Sequence, residues 1–138
     1  MQSINSFISK TVPEIDLARK LAMNFSTKDL VEKFQNFVRI TPEGPRVLSD
    51  QAKLSDKEMI ALQLVAQRIA SETRPGASPW LSLSNLQERT SLIPKTLSSR
   101  LSELSKSGYV TKEVADEKSQ FKVSTVGIDW LSGVLGKK

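Results

Sequence analysis

The chain has 138 residues, 38% of them hydrophobic and 25% charged, with a net charge of +5. That length suits one compact domain, or a small domain with an appendage, and the composition is that of an ordinary soluble protein. There is no cysteine and no histidine, which removes disulfides, thiolate nucleophiles, zinc-finger sites and imidazole acid–base chemistry.

The first stretch, Met1 to Lys10, has neither a basic start nor a continuous apolar segment, so no signal peptide is expected. From Pro13 to about Asn24 the apolar residues Ile15, Ala18, Leu21, Ala22 and Phe25 follow a helical stripe. Ser26 then reads as a helix cap with Asp29 at the third helical position, and Leu30, Phe34, Phe37 and Val38 continue a second helical face. Val38-Arg39-Ile40 and Arg46-Val47-Leu48 flank a turn-forming Thr41-Pro42-Glu43-Gly44-Pro45. A hairpin and an irregular arm both fit that pattern.

Ser55-Asp56-Lys57-Glu58 is a capping box. It opens a helix to about Glu72 that is apolar around most of its girth, through Met59, Ile60, Leu62, Leu64, Val65, Ala66 and Ile69. Such a helix needs cover on several sides and is the expected centre of the core. Arg74-Pro75-Gly76-Ala77-Ser78-Pro79 breaks it. Charge divides unevenly around this point. Residues 1–52 carry seven Lys and Arg against six Asp and Glu, and residues 53–138 carry thirteen against nine. The excess therefore lies mainly in the second part, where it favours a polyanionic partner.

Trp80-Leu81-Ser82 can add a short strand. Ser84 or Asn85 is then expected to cap a short helix ending near Thr90, with Leu86 inward. After Ser91-Leu92-Ile93, Pro94 suits a first helical position, where its fixed φ fits and no N–H is needed. Leu97, Leu101 and Leu104 define one buried stripe over a helix at 94–107, and Gly108 supplies the left-handed residue past its end. Ile93 stands where a capping hydroxyl is usual. Tyr109 to Val114 alternates as a strand, Ala115 to Gln120 is polar and turn-like, and Phe121 to Ser124 alternates again. Thr125 is expected to cap a last helix through Val126, Ile128, Trp130, Leu131, Val134 and Leu135.

The leucine-spaced helix pair followed by Ser107-Gly108-Tyr109-Val110, then a strand–turn–strand and Thr125-Val126-Gly127-Ile128-Asp129-Trp130-Leu131, resembles the winged helix-turn-helix superfamily. The likeness is closest to the MarR-like and ArsR-like prokaryotic and archaeal regulators and covers about residues 54–135. It implies a mainly α fold with a small β-wing over residues 53–138; residues 1–52, which the likeness does not reach, read from their own pattern as a helical N-terminal extension with a short hairpin or arm. It also implies double-stranded DNA as partner and transcriptional regulation as function, with helix 94–107 as the recognition helix. The family's contact positions map onto Lys95, Thr96, Ser98, Ser99 and Arg100, with Lys112, Lys118 and Lys122 on the wing. Hydroxyls there suit phosphates or base edges, and Arg100 suits the bidentate acceptors of guanine.

Family wings commonly carry a basic tip, whereas Asp116-Glu117 sits at this one. That departure supports the alternative of a module docking onto a protein, RNA or ribosomal assembly. A homodimer through the N-terminal and C-terminal helices is weighed against intramolecular packing of those helices. No enzyme, cofactor or metal site is expected, because no nucleotide-cradling glycine motif or carboxylate constellation is present. No apolar run approaches the roughly 20 residues that span a bilayer. The expected location is cytoplasmic and nucleoid-associated.

Overall fold

Four of the five helices among the described residues open on a serine whose hydroxyl accepts a backbone N–H from the first turn. The computed structural model describes residues 25–48 and 54–136; the helix expected from Pro13 to Asn24 and the Lys137-Lys138 end lie outside them. Helix α1, Thr27–Phe34, starts at Ser26 with the reciprocal Asp29 side chain in place, and it buries Leu30 and Phe34. The Ser26 backbone N–H, then its hydroxyl, hold the Asp29 carboxyl below its ordinary value.

The turn-rich segment after α1 is a hairpin. Strands β1, Val38–Thr41, and β2, Gly44–Val47, pair antiparallel with Val38 opposite Val47 and Arg39 opposite Arg46. Leu48 N–H donates to the Phe37 carbonyl at 2.9 Å. The alternation running from that bond puts Pro45, which lacks an N–H, at a non-hydrogen-bonded pair with Ile40. Arg74 donates to the Thr41 carbonyl and ties the hairpin to the end of the next helix.

That helix, α2, spans Asp56–Thr73 behind the Ser55–Glu58 capping box. It buries Ile60, Ala61, Leu62, Leu64, Val65, Ala66, Ile69 and Ala70, and it packs against α1, both hairpin strands and every later helix. Leu30, Phe34 and Val38 join the same core as the second part of the chain. Each fully buried Leu or Ile adds about 1.5–3 kcal/mol of apolar burial, so the girth of α2 organises the molecule.

Strand β3, Leu81–Ser82, leads directly into α3, Leu83–Thr90. The cap is Ser82 rather than Ser84 or Asn85. Asn85 occupies the third helical position, where its side chain accepts from the Ser82 N–H at 3.3 Å. Starting earlier lets β3 and α3 abut and gives Leu86 a fully buried place. Ser91 closes α3 in the left-handed conformation, φ 60°.

Helix α4, Pro94–Lys106, follows with Leu97, Leu101 and Leu104 buried and no side-chain cap at Ile93. Its end is a full double-bonded C-cap. Gly108 N–H donates to the Ser105 carbonyl at 3.1 Å and Tyr109 N–H to the Leu104 carbonyl at 3.0 Å, with Gly108 at φ 82°.

The wing is longer than its alternation suggests. Strands β4, Val110–Ala115, and β5, Lys118–Val123, stay paired through the polar residues, so the turn is only Asp116-Glu117. Both turn residues have positive φ, 51° and 63°, the geometry whose twist matches the strands. The third strand, β3, pairs with β5, giving the order β3-β5-β4.

The last helix, α5, Thr125–Leu135, is capped by Ser124 rather than Thr125. Ser124 Oγ accepts from Gly127 N–H at 2.9 Å and donates to the Gly108 carbonyl at 2.6 Å, binding the start of α5 to the end of α4. Trp130 stacks on Tyr109, centroids 4.5 Å apart and planes 9° from parallel. Helices α2, α3 and α4 with the β3-β5-β4 sheet form a winged helix-turn-helix. No helix among the described residues is long and apolar enough to cross a membrane.

Candidate nucleic-acid interface

With Leu97, Leu101 and Leu104 turned into the core, the 3.6-residue period puts Lys95, Ser99, Ser102 and Lys106 on the opposite side of α4, with Ser98 at one edge of that face and Glu103 at the other. The two lysines and three serines are exposed, and the Glu103 side chain at the edge is 40% exposed. Two lysines therefore bracket a row of short hydroxyl side chains along about three turns, a surface that lets a polyanion approach closely. Sequence reasoning reached Lys95, Ser98 and Ser99. It missed Ser102 and Lys106, although their i+7 and i+11 spacing from Lys95 carried the signal.

Thr96 and Arg100 lie on the flank instead, half-buried. Arg100 Nη1 donates to Glu103 Oε1 at 2.9 Å, and Lys57 Nζ on the first turn of α2 reaches the same oxygen at 2.9 Å. The hydrogen bond from the Lys57 ammonium, helped by the Arg100 charge, holds the Glu103 carboxyl below its ordinary value, although desolvation opposes it more than the Arg100 charge assists. Arg100 is thus committed to an intramolecular partner.

The wing divides its lysines between two faces. Lys112 lies opposite Phe121 and Val114 opposite Ser119, so these four share the face that also buries Val110 and Val123. Lys122, opposite Thr111, and Lys118, opposite Ala115, occupy the other face. Lys122 Nζ sits 4.9 Å from the centre of the Trp80 ring. Lys95, Arg100, Lys112 and Lys122 consequently do not form one continuous positive stripe.

A groove instead runs between α4 and the wing. Leu83, Leu101 and Phe121 floor it, and Ser98, Ser102, Lys106, Lys112 and Ser119 rim it, around a volume of about 290 Å³. Lys106 from α4 and Lys112 from the wing both rim this groove, which joins the outward row of α4 to the inner face of the wing. At the far tip, Asp116 and Glu117 are exposed beside Val114, which is 63% exposed. Among the described residues no cluster of three or more acidic side chains could hold a metal ion.

No protein-family model matches the chain, and no curated protein matches it. Among solved structures the fold is similar to that of Bordetella bronchiseptica BpsR, whose DNA binding is regulated by 6-hydroxynicotinic acid. The identity is 14% and the TM-score 0.46, over 79% of this chain and 64% of that one. The chain thus spans just under two thirds of that neighbour's length.

Proposed function

We propose that this protein binds double-stranded DNA through α4 and the groove beside it, as a transcriptional regulator of the MarR-like and ArsR-like kind. The observation that carries this is the outward row Lys95, Ser98, Ser99, Ser102 and Lys106, exposed, with Lys112 facing it across the groove and with Glu103 at its edge held by Lys57 and Arg100. The lysines neutralise phosphates and the serines accept close approach to backbone or base edges. The first turn of α4, uncapped by any side chain, adds backbone N–H groups suited to a phosphate.

Thr96 and Arg100 enter as flanking contacts, Arg100 once Glu103 releases it, and Lys118 and Lys122 as peripheral ones. A homodimer through the N-terminal segment and α5 belongs to the same proposal, because paired recognition helices read paired half-sites. A cytoplasmic, nucleoid-associated location follows from a DNA partner. The test is a fluorescence-anisotropy titration of a labelled duplex with the chain and with Lys95→Ala, Lys106→Ala and Lys112→Ala. Each variant should weaken binding, and unaltered affinity in all three would rule out this surface.

A second function, docking onto a protein or ribosomal assembly, is favoured by the wing tip, where Asp116 and Glu117 flank the exposed Val114. It predicts association with ribosomes or polymerase that survives the three lysine substitutions and is lost in Val114→Asp.

A further inference from the structure

Gln63, in the middle of α2, is the polar residue buried among the apolar ones of that helix, at 7% exposure. Among the described residues its side-chain amide makes no hydrogen bond. A buried amide without a partner keeps its full desolvation cost, so such a group calls for something that completes it. Gln63 does not face a closed core. It lines a cleft of about 510 Å³ between the β1–β2 hairpin, α2 and the end of α3, within the size range of small-molecule sites.

The other walls of that cleft are charged. Arg46 comes from β2, Arg89 from the last turn of α3, Glu43 from the hairpin turn and Glu88 from α3. Among the described residues none of these four stands in an ion pair. Arg89 spends one N–H on Gln67 Oε1, at 3.0 Å. Desolvation pulls its guanidinium below its ordinary value, against the Glu88 charge, although the residue is exposed at the rim of the cleft.

A plain anion entering here would meet two carboxylates, and a plain cation would meet two guanidinium groups. The complement is a small molecule carrying both charges. From the unsatisfied Gln63 amide and the charges of both signs around it that stand in no ion pair, we infer that this cleft binds a small zwitterion of the amino-acid class. Its carboxylate meets Arg46 and Arg89, its ammonium meets Glu43 and Glu88, and Gln63 supplies the hydrogen bonds that orient it. The site shares no residue with the α4 row and stands whether or not that row binds DNA.

The test is a side-chain amide and guanidinium NMR titration of the full chain with the mixed proteinogenic L-amino acids, then with each half-ligand, acetate and methylammonium. Saturable movement of the Gln63 amide and Arg89 guanidinium signals by an amino acid is expected, with either half-ligand at least about tenfold weaker. Arg46→Gln lies on an exposed strand position and should abolish the effect without altering the fold. Gln63→Leu should also abolish it while leaving thermal stability equal or higher, since it removes the unpaired amide. Absence of movement up to millimolar amino acid, acetate acting as strongly as the amino acid, or undiminished movement in Arg46→Gln would each overturn the assignment.

Discussion

Arg100 and Glu103 are joined at 2.9 Å on the flank of α4, and Lys57 holds the same carboxylate oxygen from the start of α2. The acidic partner thus offsets two cations beside the proposed DNA surface. Glu103→Gln frees Arg100 and removes a repulsive charge. DNA affinity at low salt should rise by about three- to tenfold, the increment of roughly one added phosphate contact. Unchanged affinity in an anisotropy titration would place Arg100 away from the bound DNA.

Lys57, with Arg100 behind it, sets a pH dependence through Glu103. The folded-state value of Glu103 lies below its ordinary value of 4.5, so its contribution to stability is fully present above that value and is lost as pH falls through the lower one. Denaturation curves recorded below pH 4.5 should therefore fall less steeply for Glu103→Gln than for the unaltered chain. Parallel acid limbs would show that the network contributes nothing.

Register makes two wing lysines unequal. Lys112 faces the groove with Phe121, whereas Lys122 lies on the reverse face over Trp80. Lys112→Ala should weaken DNA binding severalfold, by roughly one phosphate contact, and Lys122→Ala should weaken it much less. Equal losses would mean that the DNA wraps the wing or approaches from its other face.

How far the sequence revealed this arrangement depended on how local each signal was. Ser26 with Asp29, Ser55 with Glu58, Pro94 and Gly108 each declare a helix end within a few residues, and the structure places them there. The Leu97, Leu101 and Leu104 stripe is equally local. The cap at Ser82 was missed because Asn85 stands in for the usual Glu or Gln of the box, and Ser124 because Thr125 beside it is an equally good capping type.

Relationships across the chain were not legible. The two-residue wing turn follows from the Ala115–Lys118 pairing, and only that register reveals Lys112 and Lys122 on opposite faces. The bond from Lys57 to Glu103 links distant segments, and the cleft at Gln63 needs the hairpin folded against α2. Composition around Gln63 reads simply as core helix.

The wing turn stores a correctable cost. Glu117 holds φ 63° without being glycine, and its exposed carboxylate would repel the phosphates of the proposed DNA partner. Glu117→Gly should stabilise the fold by about 1 kcal/mol, read as a shift in the denaturation midpoint, and should leave or raise DNA affinity. A loss of stability would show that the Glu117 side chain makes a compensating contact.

Gly127 lies against the Tyr109 carbonyl, so closely that a β-carbon there would stand 2.1 Å from the oxygen. The site is also where Ser124 ties α5 to the end of α4. Gly127→Ala should destabilise the fold by at least about 1–3 kcal/mol, while Gly133→Ala, with open space around it, should not. Similar denaturation midpoints for the two variants would contradict the close approach.

The central claim, that the outward row of α4 and Lys112 meet DNA phosphates, is tested most directly by the salt dependence of duplex affinity. The logarithm of the binding constant should fall linearly with the logarithm of salt concentration. The slope should shrink by roughly 0.9 for each of Lys95, Lys106 and Lys112 replaced by alanine. An affinity indifferent to salt, or a slope unchanged in the triple variant, would contradict it.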